Sequence, residues 1–392
     1  MKDRPKITKV EVRQFNYEMK DATLPPSGGM GIYKRGSVLT RSAHVVRVFT
    51  DVGVTGEFVG GSTIDYAAFP MIIPRIIGRN ALEIEAINTD VRHMLQQSMP
   101  NGGSTLDIAL WDLAGKFYDT PIYQLLGGNR TSLPAYASCW QADRDKNGLN
   151  SPEAHAEFAQ QCLELGYKGF KTHPWGRNES TVEEWVALNH ALAKQVGGKT
   201  DLMLDGHCAL RTFGEALKVG WSCDEDHFFW WEDPYMHAES AFPYRKLRQM
   251  VKTPLLQMEH VWGLEAHIDN IVAEGTDFVR GDVFYDGGIT GVMKIAHACE
   301  GFGLDIELHR SGPAERHVMA AVRNCNYYEM ALVHPKGIFG HPRVYKSDYK
   351  DGLDAIDKNG CVPVPRGPGL GVEYDWDHIN KHTTAVIYEY PK

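Results

Sequence analysis

Three carboxylates recur at one interval in the middle of the chain: Asp205 in LMLDGH, Glu232 in WWEDP and Glu259 in QMEH. The gaps are equal, since 232 − 205 and 259 − 232 are both 27. Each acid follows a short apolar run that reads as a strand. Neighbouring strands lie about 4.8 Å apart, so three acids on consecutive strand ends converge on one point. Carboxylates that close repel and raise one another's pKa unless a cation neutralises them. An all-oxygen set suits a hard ion such as Mg²⁺ better than Zn²⁺, with positions left for water and substrate. Singly, Asp205 could merely cap a following helix; three acids in register fit that plain role poorly.

More ionisable groups sit at the ends of the neighbouring apolar runs. Lys171 and His173 (KTH) are two apart, so on a strand they share a face, as do Asp205 and His207. Asp282 (GDVFYDGGIT) and His309 (ELH) close the sixth and seventh runs, near enough for the carboxylate to orient the imidazole and raise its basicity. Glu329 is placed at the eighth. A lone strand-end lysine is as readily a solvated charge, and a lone histidine a hydrogen-bonded core residue, because such groups mark sites only probabilistically. Recurrence at every strand end is what carries the reading, since the strands themselves are buried apolar runs. Tyr33, Lys34 and Arg35 near the end of the Gly/Pro-rich segment 22–37 are candidates for holding a distal carboxylate or hydroxyls; a loop of that length is usually functional or mobile, though charge-rich loops are as often simply solvated. Trp140 and Trp175, at the first and second strand ends, either wall a pocket or fill core.

These groups need a scaffold that brings strand ends together. From about 133 to 345 short apolar strands alternate with helical stretches: LPAYASCW, then 152–165, KGFKTH, 180–195, DLMLD, and onward to YYEMAL. Alternation implies a parallel sheet, and eight such units imply a (β/α)₈ barrel, whose C-terminal strand ends form the active-site mouth. The first third differs. Residues 7–15 and 43–60 read as strands, the latter as two around an Asp-Val-Gly turn, and 81–97 and 105–118 as helices. The turn-rich tail after 345 (PRGPGLGVEYDWD) is expected to pack back on this first domain.

Bulk properties narrow the class. A chain of 392 residues can bury a large core, and 43% hydrophobic with 23% charged residues is an ordinary soluble composition. A net charge of −9 argues against a general nucleic-acid or anionic-membrane binder. It leaves room for an anionic small-molecule substrate, because one local cation or metal overrides the mean field. No apolar run is long enough to span a bilayer, and MKDRPK leads straight into a strand pattern instead of a signal core. Seven cysteines at no CxxC spacing point to a reduced, cytoplasmic protein without a disulfide framework. No glycine-rich phosphate motif is present.

The motifs together resemble the enolase superfamily, and within it the mandelate racemase subgroup. The likeness runs through ALWDLAGKFYDTPIYQLLGG (109–128), GYKGFKTH, LMLDGH, WWEDP, QMEH, GDVFYDGGIT, ELH and PGLGVEYD, in the right order. It implies an α/β fold: an N-terminal α+β capping domain (1–130), a modified (β/α)₈ barrel of the (β/α)₇β type (131–345), and a tail (346–392) on the capping domain. It implies Mg²⁺ on Asp205, Glu232 and Glu259, and abstraction of the proton α to a carboxylate to give a metal-held enediolate. A preorganised cation suits that oxyanion. By the same likeness His309 with Asp282 is an acid/base on one face, Lys171 lies near the substrate carboxylate, and Glu329 matches the strand-eight acid. A homo-oligomer is implied as well.

Two departures bear on function. Strand two reads Lys-x-His where racemase-like members have Lys-x-Lys, which puts the base position on His173. Strand three reads Asp-x-His, similar to galactonate and mannonate dehydratases, whose histidine there helps a hydroxyl leave. The expected activity is therefore acid-sugar dehydration to a 2-keto-3-deoxy acid. His309–Asp282 or His173 is the base, and His207 or His173 the acid. The alternatives are racemisation, epimerisation or lactone cycloisomerisation of a related acid, or a metal-binding protein without catalysis.

Overall fold

The computed structural model describes all residues except 1–3, 26–30, 99–101, 177–178, 236–239 and 338–339. The first domain opens with β1 (Ile7–Thr23), β2 (Ile32–Thr50) and β3 (Thr55–Val59). The barrel strands are β4 (Ser132–Gln141), β5 (Gly169–His173), β6 (Asp201–Asp205), β7 (Trp230–Glu232), β8 (Leu255–Gln257), β9 (Phe278–Gly281), β10 (Ile306–Leu308) and β11 (Tyr328–Val333). The tail adds β12 (Cys361–Pro363) and β13 (Thr383–Tyr390).

Strands β4 to β10 pair in parallel in chain order, and β11 returns to β4 in the register Glu329↔Tyr136. The seam between β10 and β11 is closed by side chains. Asn326 Nδ2 donates to Glu307 Oε1 (2.7 Å), and Ser311 Oγ donates to the carbonyl of Glu329 (2.8 Å). The result is a near-closed eight-stranded parallel barrel, as the alternation of strand and helix patterns predicts. Local signals set the helix boundaries. Ser151 caps Pro152–Leu165, with Pro152 at the first position and left-handed Gly166 ending it. Thr181 with Glu184 and Thr212 with Glu215 form capping boxes at the next two helices.

Inside the barrel, residues two apart on each strand stack into tiers. The lowest is apolar: Tyr136, Met203, Trp230 and Leu256, with Phe278 and Tyr327 against them. One tier higher come Lys171, Glu232, Arg280 and Glu329, all fully buried. Polar groups can occupy such a tier only if they satisfy one another.

The capping sheet runs β13–β1–β2–β3, all antiparallel. In segment 22–37, read as one long loop, residues 22–23 and 32–37 are strand: Ala22 pairs with Tyr33 and Thr23 with Ile32, so the hairpin extends well beyond its expected length. The helix Ser104–Tyr118 joins the two domains. Asp107 Oδ1 accepts from Thr290 N (3.0 Å), and Trp111 Nε1 donates to Thr290 Oγ1 (2.9 Å). Asp112 accepts from the backbone of both Glu57 (2.8 Å) and Leu370 (2.9 Å). A Cβ on Gly115 would lie 2.4 Å from the Cα of Gly369, so this helix approaches the tail as closely as two glycines allow. The tail is shared between the domains. Its β13 completes the capping sheet, while β12 pairs with β4 and the buried Arg316 holds Asp351 (2.5 Å) and the carbonyl of Pro363 (2.9 Å). All seven cysteines are free, and no helix among the described residues is long and apolar enough to cross a membrane.

Candidate active site

Asp205 and Glu232 terminate β6 and β7 and are paired in register, while Glu259 stands two residues beyond β8. One oxygen from each lies within 4.8 Å of the others. Glu232 is held from below on both oxygens, by Lys171 Nζ at 2.7 Å and by Arg280 Nε at 2.7 Å. Lys171 Nζ also reaches Asp205 (3.1 Å) and Glu329 (2.9 Å). An ammonium has three donors, and these three carboxylates occupy them. Lys171 is therefore paired with the carboxylate cluster while it also lines the cavity above, where the sequence places it beside a substrate carboxylate.

Charge is not balanced in this tier. Counting Asp205 just above it, three carboxylates, Asp205, Glu232 and Glu329, face the two strong cations Lys171 and Arg280, and Glu259 adds a fourth within reach of Asp205 and Glu232. Burial pushes the Glu232 carboxyl up against the pull of Arg280, with Asp205 repelling it. Glu329 is instead held well below the usual carboxylate range: burial opposes ionisation, but Lys171 and Arg280 outweigh it. Each carboxylate keeps further lone pairs beyond those used by Lys171 and Arg280. The donor set of three converging carboxylates thus fits a hard divalent cation.

Two imidazoles flank the carboxylates. His173 faces two acceptors, the carbonyl of Cys139 (2.7 Å from Nδ1) and Asp205 Oδ2 (3.0 Å from Nε2), so both nitrogens carry protons. Burial disfavours that cation, but Asp205 prevails and the pKa is raised to about 10. On the other flank His309 Nδ1 donates to Asp282 Oδ2 (2.6 Å), and its Nε2 stands 3.5 Å from Glu259 Oε1. Asp282 is itself fixed by the backbone N–H of Phe284 (2.6 Å). Burial again opposes protonation, and Glu259 with Asp282 overcomes it, leaving His309 raised. His207 differs. Its Nε2 donates to the carbonyl of Pro174 (3.2 Å), and burial lowers its pKa, so it stands neutral.

The strand ends leave ordinary backbone space at this mouth. His207 (φ 34°), Cys208 (57°), Asp233 (37°), Met258 (101°) and Arg310 (75°) are all left-handed without being glycine. Such conformations cost roughly 1–3 kcal/mol each and cluster at functional sites.

A cavity of about 590 Å³ opens over the group. Of the expected residues it is lined by Trp140, Lys171, His173, Asp205, His207, Glu259, His309 and Glu329. Glu232 and Asp282 are buried behind it, bonded to the lining residues Lys171 and His309. Other expectations are corrected. Glu329 is the second residue of β11, not its end, so it faces Lys171 inside the barrel. Tyr33 is buried against His334 (ring centroids 4.9 Å apart), Lys34 is exposed, and Arg35 donates its backbone N–H to Asp145 (3.1 Å). None of the three lines the cavity, because the β1–β2 hairpin carries them past it. Trp175 also stands apart. Its indole donates to the carbonyl of Asp143 (2.7 Å) under the Arg144 guanidinium, as a packing group.

Several contributors escaped the sequence reading. Arg41 lines the cavity from the capping sheet and forms no salt bridge among the described residues. Arg310 lines it beside His309 and is anchored on Tyr285 (2.6 Å). Arg280 precedes Asp282 by two, a spacing that could have flagged a shared face.

Models of known families match both parts of the chain. Residues 154–378 match the enolase C-terminal domain-like family, and residues 32–127 match the N-terminal domain of mandelate racemase and muconate lactonizing enzyme. The chain belongs to this family. As a member of the enolase superfamily it is an enzyme. A D-xylonate dehydratase of Haloferax volcanii is 26% identical over 366 residues, covering 86% of this chain and 84% of that one. The L-Ala-D/L-Glu epimerase of Bacillus subtilis is 24% identical over 86% of this chain and 90% of its own. Among solved structures, D-glucarate dehydratase from Agrobacterium tumefaciens complexed with magnesium superposes with a TM-score of 0.88 at 28% identity, over 98% of this chain and 100% of that one.

Proposed function

We propose that this family member is a hydro-lyase of acid sugars, which removes the proton α to the carboxylate and expels the neighbouring hydroxyl to give a 2-keto-3-deoxy acid. The observation that carries the reading is the pair of unlike imidazoles on opposite flanks of the carboxylate cluster. His309, oriented by Asp282, takes the C2 proton on Nε2. His173, with both nitrogens protonated, gives a proton to the departing C3 hydroxyl, which leaves as water. The enol left behind ketonises by taking a proton at C3. His207, neutral and hydrogen-bonded to a carbonyl, positions instead of donating. The D-xylonate dehydratase among the relatives supports loss of water from an acid sugar, and the magnesium complexed with the glucarate dehydratase structure supports a divalent ion on the carboxylates.

Asp205, Glu232 and Glu259 would hold Mg²⁺. When bound, it supplies positive charge to the substrate carboxylate as negative charge develops there. Lys171 and Arg280 fix the geometry of Glu232 beneath it. Arg41, on the capping sheet, and Arg310, beside His309, add cationic charge to the cavity wall and favour a substrate with a second anionic group, an aldaric acid over an aldonic one.

The test is a panel of aldonic, aldaric and uronic acids with Mg²⁺, scored for α-keto acid and for deuterium uptake from ²H₂O. Keto product supports dehydration. Exchange or inversion without keto product supports the second reading, an epimerase or racemase, for which the two-sided placement of His173 and His309 would serve. Neither signal, with metal bound, would overturn both.

A further inference from the structure

A second group of ligating side chains stands one step outward from the carboxylate cluster, on the same three strand ends. Cys208 follows Asp205 by three residues, Asp233 follows Glu232 directly, and His260 follows Glu259 directly. One ligand atom from each lies within 4.8 Å of the others, and His260 Nε2 is 3.8 Å from Asp233 Oδ2. Ligands of a tetrahedral ion at about 2.0–2.3 Å from the metal stand roughly 3.3–3.8 Å apart, so small rotamer changes would close the set.

The backbone holds this arrangement. Beyond the ends of β6 and β7 the two loops continue to pair: Gly206 N to the Glu232 carbonyl (2.8 Å), Cys208 N to the Asp233 carbonyl (2.8 Å) and Leu210 N to the Pro234 carbonyl (3.1 Å). Cys208 is thereby fixed beside Asp233. The independent sign of a ligand is Asp233 itself. It is 1% exposed, and neither carboxylate oxygen has a hydrogen-bond partner. A buried carboxylate with both oxygens unsatisfied costs several kcal/mol unless it takes up a proton or a ligand, and ligand atoms of Cys208 and His260 stand within reach of it.

We propose that Cys208, Asp233 and His260 form a second, separate cation site for a borderline-soft divalent ion such as Zn²⁺ or Co²⁺. Thiolate, imidazole and carboxylate together select such ions over Mg²⁺. The thiol releases its proton to solvent on binding. Three protein ligands leave a fourth position, and because Cys208 and His260 line the catalytic cavity that position faces it.

The test is Co²⁺ titration of the full chain after chelator treatment, in saturating Mg²⁺, followed by optical absorption and by metal content after gel filtration. The expected result is one Co²⁺ per chain that Mg²⁺ does not displace, with a thiolate-to-cobalt charge-transfer band. Cys208→Ser abolishes the band, and His260→Ala or Asp233→Asn weakens Co²⁺ by roughly 10-fold or more, with folded circular dichroism in each. Absence of the band in the unmutated chain overturns the proposal. So does its survival in Cys208→Ser, which would place the ion on another cysteine, or displacement of all Co²⁺ by Mg²⁺, which would leave only the all-oxygen site.

Discussion

Replacing Arg280 with Met removes a guanidinium from the most charge-dense tier of the barrel. Arg280 is 1% exposed and is bound to Glu232 (2.5 and 2.7 Å), to the carbonyl of Leu308 (3.3 Å) and to Tyr136 Oη (3.2 Å), with Glu329 at 3.6 Å. Met fills most of the volume, so cavity formation is a minor contribution. The main loss is electrostatic, because Glu232 and Glu329 are left with Lys171 as their one strong side-chain cation, which Asp205 also engages. Breaking a buried pair by removing one partner costs about 3–5 kcal/mol, a large part of a net stability of about 5–15 kcal/mol. At about 2–4 °C per kcal/mol for a domain of this size, the melting midpoint in chelator should fall by roughly 6–20 °C. A divalent ion on the same carboxylates replaces part of the missing charge. Mg²⁺ should therefore raise the midpoint of Arg280→Met by more than it raises that of the unmutated chain. The assay is a thermal melt of both proteins in chelator and in a Mg²⁺ series. A shift below about 2 °C in chelator, or equal Mg²⁺ responses, would refute the claim that Arg280 balances the metal carboxylates.

His309→Asn should lower turnover about 10²–10⁴-fold, the usual worth of a general base, while Mg²⁺ affinity by calorimetry stays nearly unchanged; equal activity would move the base elsewhere. The pKa of His309 is raised, with Glu259 the leading cause after the opposing burial. In chelator its ring should titrate above the usual histidine value, and Mg²⁺, by neutralising Glu259, should bring the midpoint down. Because the base acts unprotonated, kcat/KM should rise with pH through that midpoint; an NMR titration unaffected by Mg²⁺ would count against the pairing. Arg41→Ala should raise KM for diacids by roughly 10–100-fold, the worth of about 1.5–3 kcal/mol in hydrogen bonds to charge, and leave monoacids little changed. An equal effect on both would show that Arg41 does not read a second carboxylate.

The carboxylate cluster was legible because strand-end acids at equal spacing carry their geometry in the sequence. The His309–Asp282 contact was legible for the same reason, since adjacent parallel strands bring their ends together. What spacing could not convey was depth along a strand. Lys171 and His173 share a face, yet one is locked under the carboxylates and the other reaches their flank. Glu329 likewise was placed at a mouth when its strand begins one residue before it. The placement of Tyr33, Lys34 and Arg35 away from the cavity has another cause. A Gly/Pro-rich segment reads as loop, but cross-strand pairing with Ala22 and Thr23 overrides that local preference and carries them away from the cavity. Arg41 was missed because its position depends on how the capping sheet sits over the barrel, which no local pattern encodes.

The central claim is that a proton leaves C2 and a hydroxyl leaves C3 of one acid sugar in this cavity. Turnover of the best substrate in ²H₂O with Mg²⁺, followed by mass and NMR analysis of the product, tests it most directly. The expected product is a 2-keto-3-deoxy acid carrying one deuterium at C3. Recovered acid with deuterium at C2 and no keto product, or no reaction with any acid while Mg²⁺ binds, would contradict it.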